Sequence, residues 1–215
     1  MNPKANRIQD VYRFFQSRFR PARMKEFLEL FKPGPEMSIL DVGGTSAFWS
    51  DSGRTLRVTI LNISPGPERL PPNLTYVQGS ATSLPFSDRS FDIVFSNSMI
   101  EHLRDRVSQE YFAREALRVG RGVWVQTPAR WFPIEPHLLT PFIHYLPKRA
   151  QRRLLRNFTV WGLIARPDQS YVDHFLDETV LLTARDMRAL FPGCKLRRER
   201  VLGLTKSLIV VCSPH

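Results

Sequence analysis

The tightest constraint on the fold is the way short apolar runs alternate with glycine turns and helix signals across residues 36–128. Ser38-Ile-Leu-Asp-Val42 is too short for a helix and closes on Gly43-Gly44, so it reads as a buried strand ending in a tight turn. Leu56–Leu61 is a second strand, Thr75–Val77 opens a third, and Phe91–Phe95 follows the turn-like Ser87-Asp-Arg-Ser90 as a fourth. Residues 106–119 place Val107, Tyr111, Ala116 and Val119 on the inner side of a helix, with Gly120 as its stop. Gly122–Gln126 is a fifth strand, closed by Thr127-Pro128. Strands and helices in this alternation predict an α/β fold around a parallel sheet, and right-handed crossovers place helices on both faces. Between the second and third strands, Ser64–Pro72 holds four prolines and a glycine, which predicts an abbreviated crossover without a full helix.

The flanks read differently. Residues 7–19 space Ile8, Val11, Tyr12, Phe15 and Phe19 as a helix, which Pro21 is expected to end. A second helix from about Ala22 to Leu30 stops before Pro33-Gly-Pro35, so residues 1–35 form a helical extension. Residues 128–180 break the alternation and hold much of the proline and histidine. They read as an insertion over the carboxyl edge of the sheet that caps the acceptor side, with helices at 138–145 and 148–156. Thr183 is the expected N-cap of a helix over Ala184–Leu190. Lys195–Val201 and Leu204–Val211 form two strands joined at Leu202-Gly203, which turns the last strand antiparallel to its neighbours. No internal repeat divides residues 1–215, which read as a single domain.

Two cysteines, Cys194 and Cys212, are too few for a disulfide framework. They lie nine residues either side of Gly203, so a tight hairpin makes them cross-strand neighbours, read as paired reduced thiols. The opening MNPKANRIQD has no apolar run behind its lysine, against a secretory signal. The apolar run Leu208–Cys212 is far short of the roughly 20 residues that span a bilayer. The expected address is cytoplasmic.

In open α/β sheets, ligands sit beyond the carboxyl ends of the strands near the switch in strand order. The turn Asp41-Val-Gly-Gly-Thr-Ser-Ala47 falls there, and a glycine lets backbone approach a ligand without a Cβ between them. Thr45, Ala47 and Phe48 spoil the G-x-G-x-x-G spacing of a pyrophosphate site, which disfavours a nicotinamide oxidoreductase.

Gly79-Ser-Ala-Thr-Ser-Leu-Pro-Phe-Ser-Asp-Arg-Ser-Phe-Asp-Ile-Val-Phe-Ser-Asn97, ending in Ile100-Glu-His-Leu103, resembles the class I S-adenosylmethionine-dependent methyltransferases, nearest their type 11 branch. The resemblance covers about residues 36–128. It implies a doubly wound, mostly parallel seven-stranded sheet with an antiparallel last strand, the Rossmann-like methyltransferase fold, and S-adenosyl-L-methionine as cofactor. Carried onto this chain, it implies that Asp41 organises the glycine turn near the methionine amino group while Gly43 and Gly44 pass close to the cofactor. Asn62 stands where a ribose-binding acid is usual, and Ser80, followed by Ala81, where an adenine-binding aspartate is usual. Ser96 and Asn97 line the methionine end, with Met99 nearby. An asparagine lacks the charge-assisted bond of a carboxylate, so weaker cofactor binding is expected.

Methyl transfer from a sulfonium is an in-line displacement, and a hydroxyl acceptor gains from a base beside the attacking oxygen. Histidine is the natural base at neutral pH, and His102 sits just after the fourth strand, beside Glu101. Directly after the fifth strand, Arg130 and Trp131-Phe-Pro-Ile-Glu-Pro-His137 can wall an acceptor pocket, with Arg130, Trp131, Glu135 and His137 as contacts. Glu135 and His137 with His144 or His174 show no recognised metal-ligand spacing, so no metal is expected.

Lysine and arginine total 31 against 20 acids, a net charge of +11 that speaks to partners rather than fold. Residues 130–170 hold seven basic side chains against Glu135 and Asp168, and the first 25 residues hold seven more against Asp10. An apolar stretch, Leu138–Leu146, precedes the basic cluster Lys148, Arg149, Arg152, Arg153 and Arg156. That order suits an anionic membrane surface and an oxygen acceptor on a small molecule, glycan or lipid-linked precursor, at the inner membrane face. RNA methylation is a weaker reading, since no RNA-binding motif appears. A non-catalytic scaffold on the same fold is the alternative from another class.

Overall fold

The computed structural model describes residues 19–50, 56–135 and 140–213. Helix α1 covers 19–31 among these, followed by β1 (Ser38–Val42), α2 (Ser46–Ser50), β2 (Arg57–Asn62), β3 (Leu74–Gln78) and β4 (Phe91–Asn97). A 3-10 turn (Ile100–His102) leads to α3 (Arg106–Val119) and β5 (Gly120–Pro128). Then come β6 (Ile134–Glu135), β7 (Thr140–Pro141), a 3-10 turn (Ile143–Tyr145), α4 (Lys148–Phe158), α5 (Val160–Ala165) and α6 (Gln169–Glu178). Helix α7 (Ala184–Leu190) and strands β8 (Lys195–Val201) and β9 (Leu204–Cys212) complete it.

The main sheet has seven strands in the order β3-β2-β1-β4-β5-β9-β8. Pairings from β3 to β5 are parallel, while β9 runs antiparallel to both β5 and β8. This is the Rossmann-like methyltransferase fold that the sequence predicts, with the strand order reversing between β1 and β4. The crossover from β2 to β3 holds no helix, as its prolines require.

Because side chains alternate across a strand, β1 sends Leu40 and Val42 to one face and Ile39 and Asp41 to the other. The first face packs on Phe112, Ala113 and Ala116 of α3 and Met187 and Leu190 of α7. The second packs on Phe27 of α1 and Trp49 of α2, where Phe95 and Trp124 stack with centroids 6.4 Å apart. Ile143, Leu155, Trp161, Val172 and Leu176 form a third, smaller core within the 128–180 segment. Helix α3 opens on Asp105, whose carboxylate accepts from Ser108 N, and α7 opens on a capping box between Thr183 and Asp186.

The inner face of α3 keeps Ala116 and Val119 but not Val107 and Tyr111, which are exposed, because the helix turns Gln109, Phe112 and Ala113 inward instead. Three further expectations need correction. Helix α1 already includes Phe19 and Arg20, so Pro21 does not break the chain there; proline is tolerated wherever its missing N–H is not called upon. The rest of the 7–19 helix lies outside the described residues. The expected helix at 138–145 is instead β7 and a 3-10 turn where described, entered by Phe142 at φ 60°, a left-handed conformation that ends regular helix. Helices α5 and α6 follow α4 unannounced.

The third correction concerns the cysteines, which are not free thiols: Cys194 and Cys212 form a disulfide across the β8–β9 hairpin, with Cα atoms 4.7 Å apart. The register pairs Lys195 with Val211, which puts the two cysteines side by side at the open end of the hairpin. Closing an 18-residue separation removes unfolded-state entropy worth up to about 3 kcal/mol. Cys194→Ser is therefore expected to lower the melting temperature, and a reductant should lower the wild type to the same value. Equal melting of oxidised and reduced protein would show that the hairpin holds without the bond.

Candidate active site

The carboxyl edge of β1, β2, β4 and β5 gathers most of the residues singled out in the sequence. Asp41 is 1% exposed, and its Oδ2 accepts from Trp49 Nε1 at 2.6 Å. Its Oδ1 is buried and has no hydrogen-bond partner among the described residues. Phe95 and Trp49 pack at 5.3 Å in the same cluster, so the carboxyl sits in an apolar nest. Burial pushes Asp41 up to about 7; the Trp49 bond and the charge of Arg20 hold it from rising further.

The glycine turn is shaped by these neighbours. Gly43 adopts φ +81°, and a Cβ there would run into Met99. A Cβ on Gly44 would fall on the Asp41 carboxylate. Both glycines are thus required by packing at the edge itself. Asn62, at the end of β2, donates from Nδ2 to Gly44 O at 3.1 Å and accepts from Ser64 N at 3.2 Å, tying the turn to the loop that follows. Ile63, next along, is 77% exposed. Gly79 N donates to Asn62 O at 2.9 Å, which brings the 79–83 turn alongside. In that turn Ser80 is exposed and shares a 2.8 Å bond with Thr82, while Ala81 leans on the core.

Ser96 is buried and donates to Val42 O at 2.9 Å, locking the ends of β1 and β4 together. Asn97 meets a residue that the sequence reading did not single out. Arg23 of α1 donates from Nη1 to Asn97 Oδ1 at 2.6 Å and to Gln126 Oε1 at 2.7 Å, and its Nε lies 3.3 Å from Glu199 of β8. Glu199 also pairs with Lys206 and accepts from Ser207. Burial lowers the Arg23 pKa, against the raising influence of Glu199 and Glu101. The signal was available: Arg23, Phe27 and Phe31 share one helix face at i, i+4, i+8, and a cation on an apolar face needs a buried partner.

Glu101 is fully buried, accepts from Thr127 Oγ1 at 2.9 Å, and its carbonyl accepts from Val180 N at 2.7 Å. His102 stands exposed beside it, its backbone N–H held by Met99 O at 2.9 Å. The residues after β5 stand apart from this group. The Arg130 guanidinium lies 5.6 Å over the ring of Trp131, which is 67% exposed and 5.9 Å from Tyr145. Glu135 is described in its backbone only, as part of β6, and His137 lies outside the described residues. No group of three or more potential metal ligands occurs among the described residues.

This edge carries a buried carboxylate whose Oδ1 has no hydrogen-bond partner among the described residues, a glycine turn, and polar residues at the strand ends. The sheet beneath it is the Rossmann-like methyltransferase fold, and the likeness of the chain is to methyltransferases. Residues 40–122 match the family model described as a methyltransferase domain.

An uncharacterized methyltransferase of Mycobacterium sp. (strain KMS) is 31% identical over 118 residues, covering 51% of this chain and 45% of that protein. The chain thus spans about half the length of the curated relatives it matches. Among solved structures, a chain of the complex between the Haloferax volcanii Trm112 methyltransferase activator and a methyltransferase superposes with TM-score 0.58 at 13% identity, covering 100% of this chain and 99% of that one. The DhpI–SAH complex superposes with TM-score 0.57 at 15% identity, covering 98% and 91%. At these identities the two structures attest the fold.

Proposed function

We propose that the chain transfers a methyl group from S-adenosylmethionine to an oxygen of a small-molecule, glycan or lipid-linked acceptor. The observation that carries this reading is the Asp41 carboxylate, 1% exposed at the carboxyl edge of β1 with Oδ1 unpartnered among the described residues. A buried acid in that state fits a cationic amine, and the methionine part of the donor carries one.

Asp41 holds that ammonium, and Gly43 and Gly44 keep the turn tight beneath it. Asn62 meets the ribose with the one amide hydrogen and the lone pair its backbone bonds leave. Ser80 and Ala81 border the adenine, with Ile63 as an apolar neighbour, and Ser96 and Asn97 border the methionine end. The bound donor supplies a methyl already activated by positive sulfur. His102 would take the proton of the acceptor hydroxyl as that oxygen receives the methyl. Arg130 and Trp131, after β5, bound the acceptor; Glu101, fully buried and bonded to Thr127, is closed to it.

Protein supplied with methyl-labelled donor and fractionated cell extract tests this reading. Label is expected in the glycan, lipid or small-molecule fraction. His102→Ala should lower the rate by about 100-fold or more while donor affinity stays within about twofold of wild type. Label confined to RNA would redirect the acceptor. Donor binding without label in any fraction would favour the scaffold, a reading that Met99 and Asp41 support by filling the space beside Gly43 and Gly44. An unchanged rate in His102→Ala would remove its role as base.

A further inference from the structure

We propose that the outer face of α4, with the apolar corners at its two ends, seats the protein on an anionic lipid bilayer. The helix sorts its own cations. Lys148 donates to Leu176 O at 2.7 Å and Arg152 pairs with Asp173 at 3.2 Å and Asp177 at 2.9 Å, so both are spent on α6. Gln151 and Leu155 are buried on the inner side. Arg149, Arg153 and Arg156 follow at i, i+4 and i+7, which puts them on one outward face. All three are exposed and form no ion pair among the described residues. The acid that feels Arg156 is Asp168, whose carboxylate is already engaged by Ser170 and Tyr171 N at the start of α6.

Exposed apolar side chains flank this face in the chain. Before it come Phe142, 59% exposed, with Tyr145 and Leu146. After it come Phe158, 72% exposed, then Val160 and Leu163 one turn apart on α5. Phe142 and Tyr145 pack at 6.0 Å, so the first corner is a formed cluster. Apolar groups clustered and exposed beside a charged face mark a surface suited to a covering partner. The cations between them specify a partner with both apolar depth and negative charge, and a bilayer with anionic headgroups has both. A nucleic acid would meet the arginines and leave Phe158 and Leu163 in water. No described helix is long and apolar enough to cross a membrane, so the contact is peripheral. A cavity of about 440 Å³ lined by Arg130, Tyr145, Leu146 and Lys148 adjoins the first corner.

The docking stands apart from methyl transfer, and its test uses neither donor nor acceptor. The full chain is sedimented with vesicles of phosphatidylcholine alone and of phosphatidylcholine mixed with phosphatidylglycerol. Binding to the mixed vesicles only, weakened by salt, is expected. Arg149→Gln, Arg153→Gln and Arg156→Gln together should weaken partitioning roughly 100-fold, and Phe158→Ser with Leu163→Ser should weaken it roughly tenfold or more. A charge-matched control, Arg188→Gln, Arg198→Gln and Arg200→Gln, removes exposed arginines elsewhere and should bind nearly as wild type. Equal loss in the control would assign the effect to diffuse net charge and overturn the α4 face. So would failure to bind mixed vesicles at low salt, or arginine-dependent binding of RNA in place of lipid. Calorimetry with S-adenosylhomocysteine on the same samples separates these outcomes from loss of the donor site, and unchanged thermal melting shows that each variant is folded.

Discussion

Replacing Asp41 by alanine is expected to weaken S-adenosylmethionine binding by about 100-fold or more, the loss that follows when one partner of a buried charged pair is removed. Asp41→Asn should bind almost as poorly, because the amide keeps the shape and an acceptor for Trp49 but not the charge. The pH dependence has a defined sign. Burial holds the folded Asp41 at about 7, above its ordinary carboxyl value near 4. Between those values the folded protein keeps a proton that the unfolded chain has released. Stability of the unliganded protein therefore falls as pH rises from about 4 through 7, and Asp41→Asn removes that fall. Thermal melts at pH 5 and pH 8 should show the variant gaining on wild type at the higher pH. Donor affinity should move the other way, rising across neutral pH as the carboxylate ionises to meet the ammonium. A wild-type affinity flat from pH 6 to pH 8 would separate Asp41 from the ammonium.

The second large effect is structural. Arg23→Met should destabilise the fold by about 3 kcal/mol, since Asn97, Gln126 and Glu199 lose one shared partner inside the protein. Lys206 and Ser207 still hold Glu199, which keeps the loss below that of a fully orphaned acid. Arg23→Lys should recover less than half, because an ammonium on a single stem cannot span both amide oxygens and the carboxylate as the guanidinium fork does. Urea unfolding of the three proteins measures this. A loss under about 0.5 kcal/mol, the usual range of surface changes, would mean that α1 is held by its aromatic face alone.

These two residues mark the limit of what the sequence discloses. Strands β1, β2, β4 and β5 were legible because a buried parallel strand is a short apolar run with glycine or proline at its end. Helix α3 was legible in its span, which Gly120 closes, but not in its whole inner face: Ala116 and Val119 are buried, whereas Val107 and Tyr111 are exposed and Gln109, Phe112 and Ala113 take their place. Thr183 and Asp186 wrote the capping box of α7 in the same local way. Segment 138–180 was harder because its helices pack on each other around Trp161 and Leu176, away from the sheet, and mix arginine with leucine at spacings that suit several starts. The left-handed Phe142 carries no sequence signal at all.

In the site, the family resemblance pointed to Asp41, Asn62, Ser80 and Asn97, but it could not tell which polar atoms the backbone consumes. Asn62 is held at both ends by Gly44 and Ser64, and Glu101 is sealed against Thr127, because these contacts arise between distant segments. The disulfide shows the same limit: hairpin spacing paired Cys194 with Cys212, while the state of the pair depends on a distance that spacing does not fix.

Calorimetric titration of ligand-free protein with S-adenosylmethionine and S-adenosylhomocysteine measures most directly whether Asp41 holds the sulfonium donor. Saturable binding of both, lost in Asp41→Ala and kept in His102→Ala, is the predicted result. A folded wild-type protein that binds neither compound at millimolar concentration would contradict it.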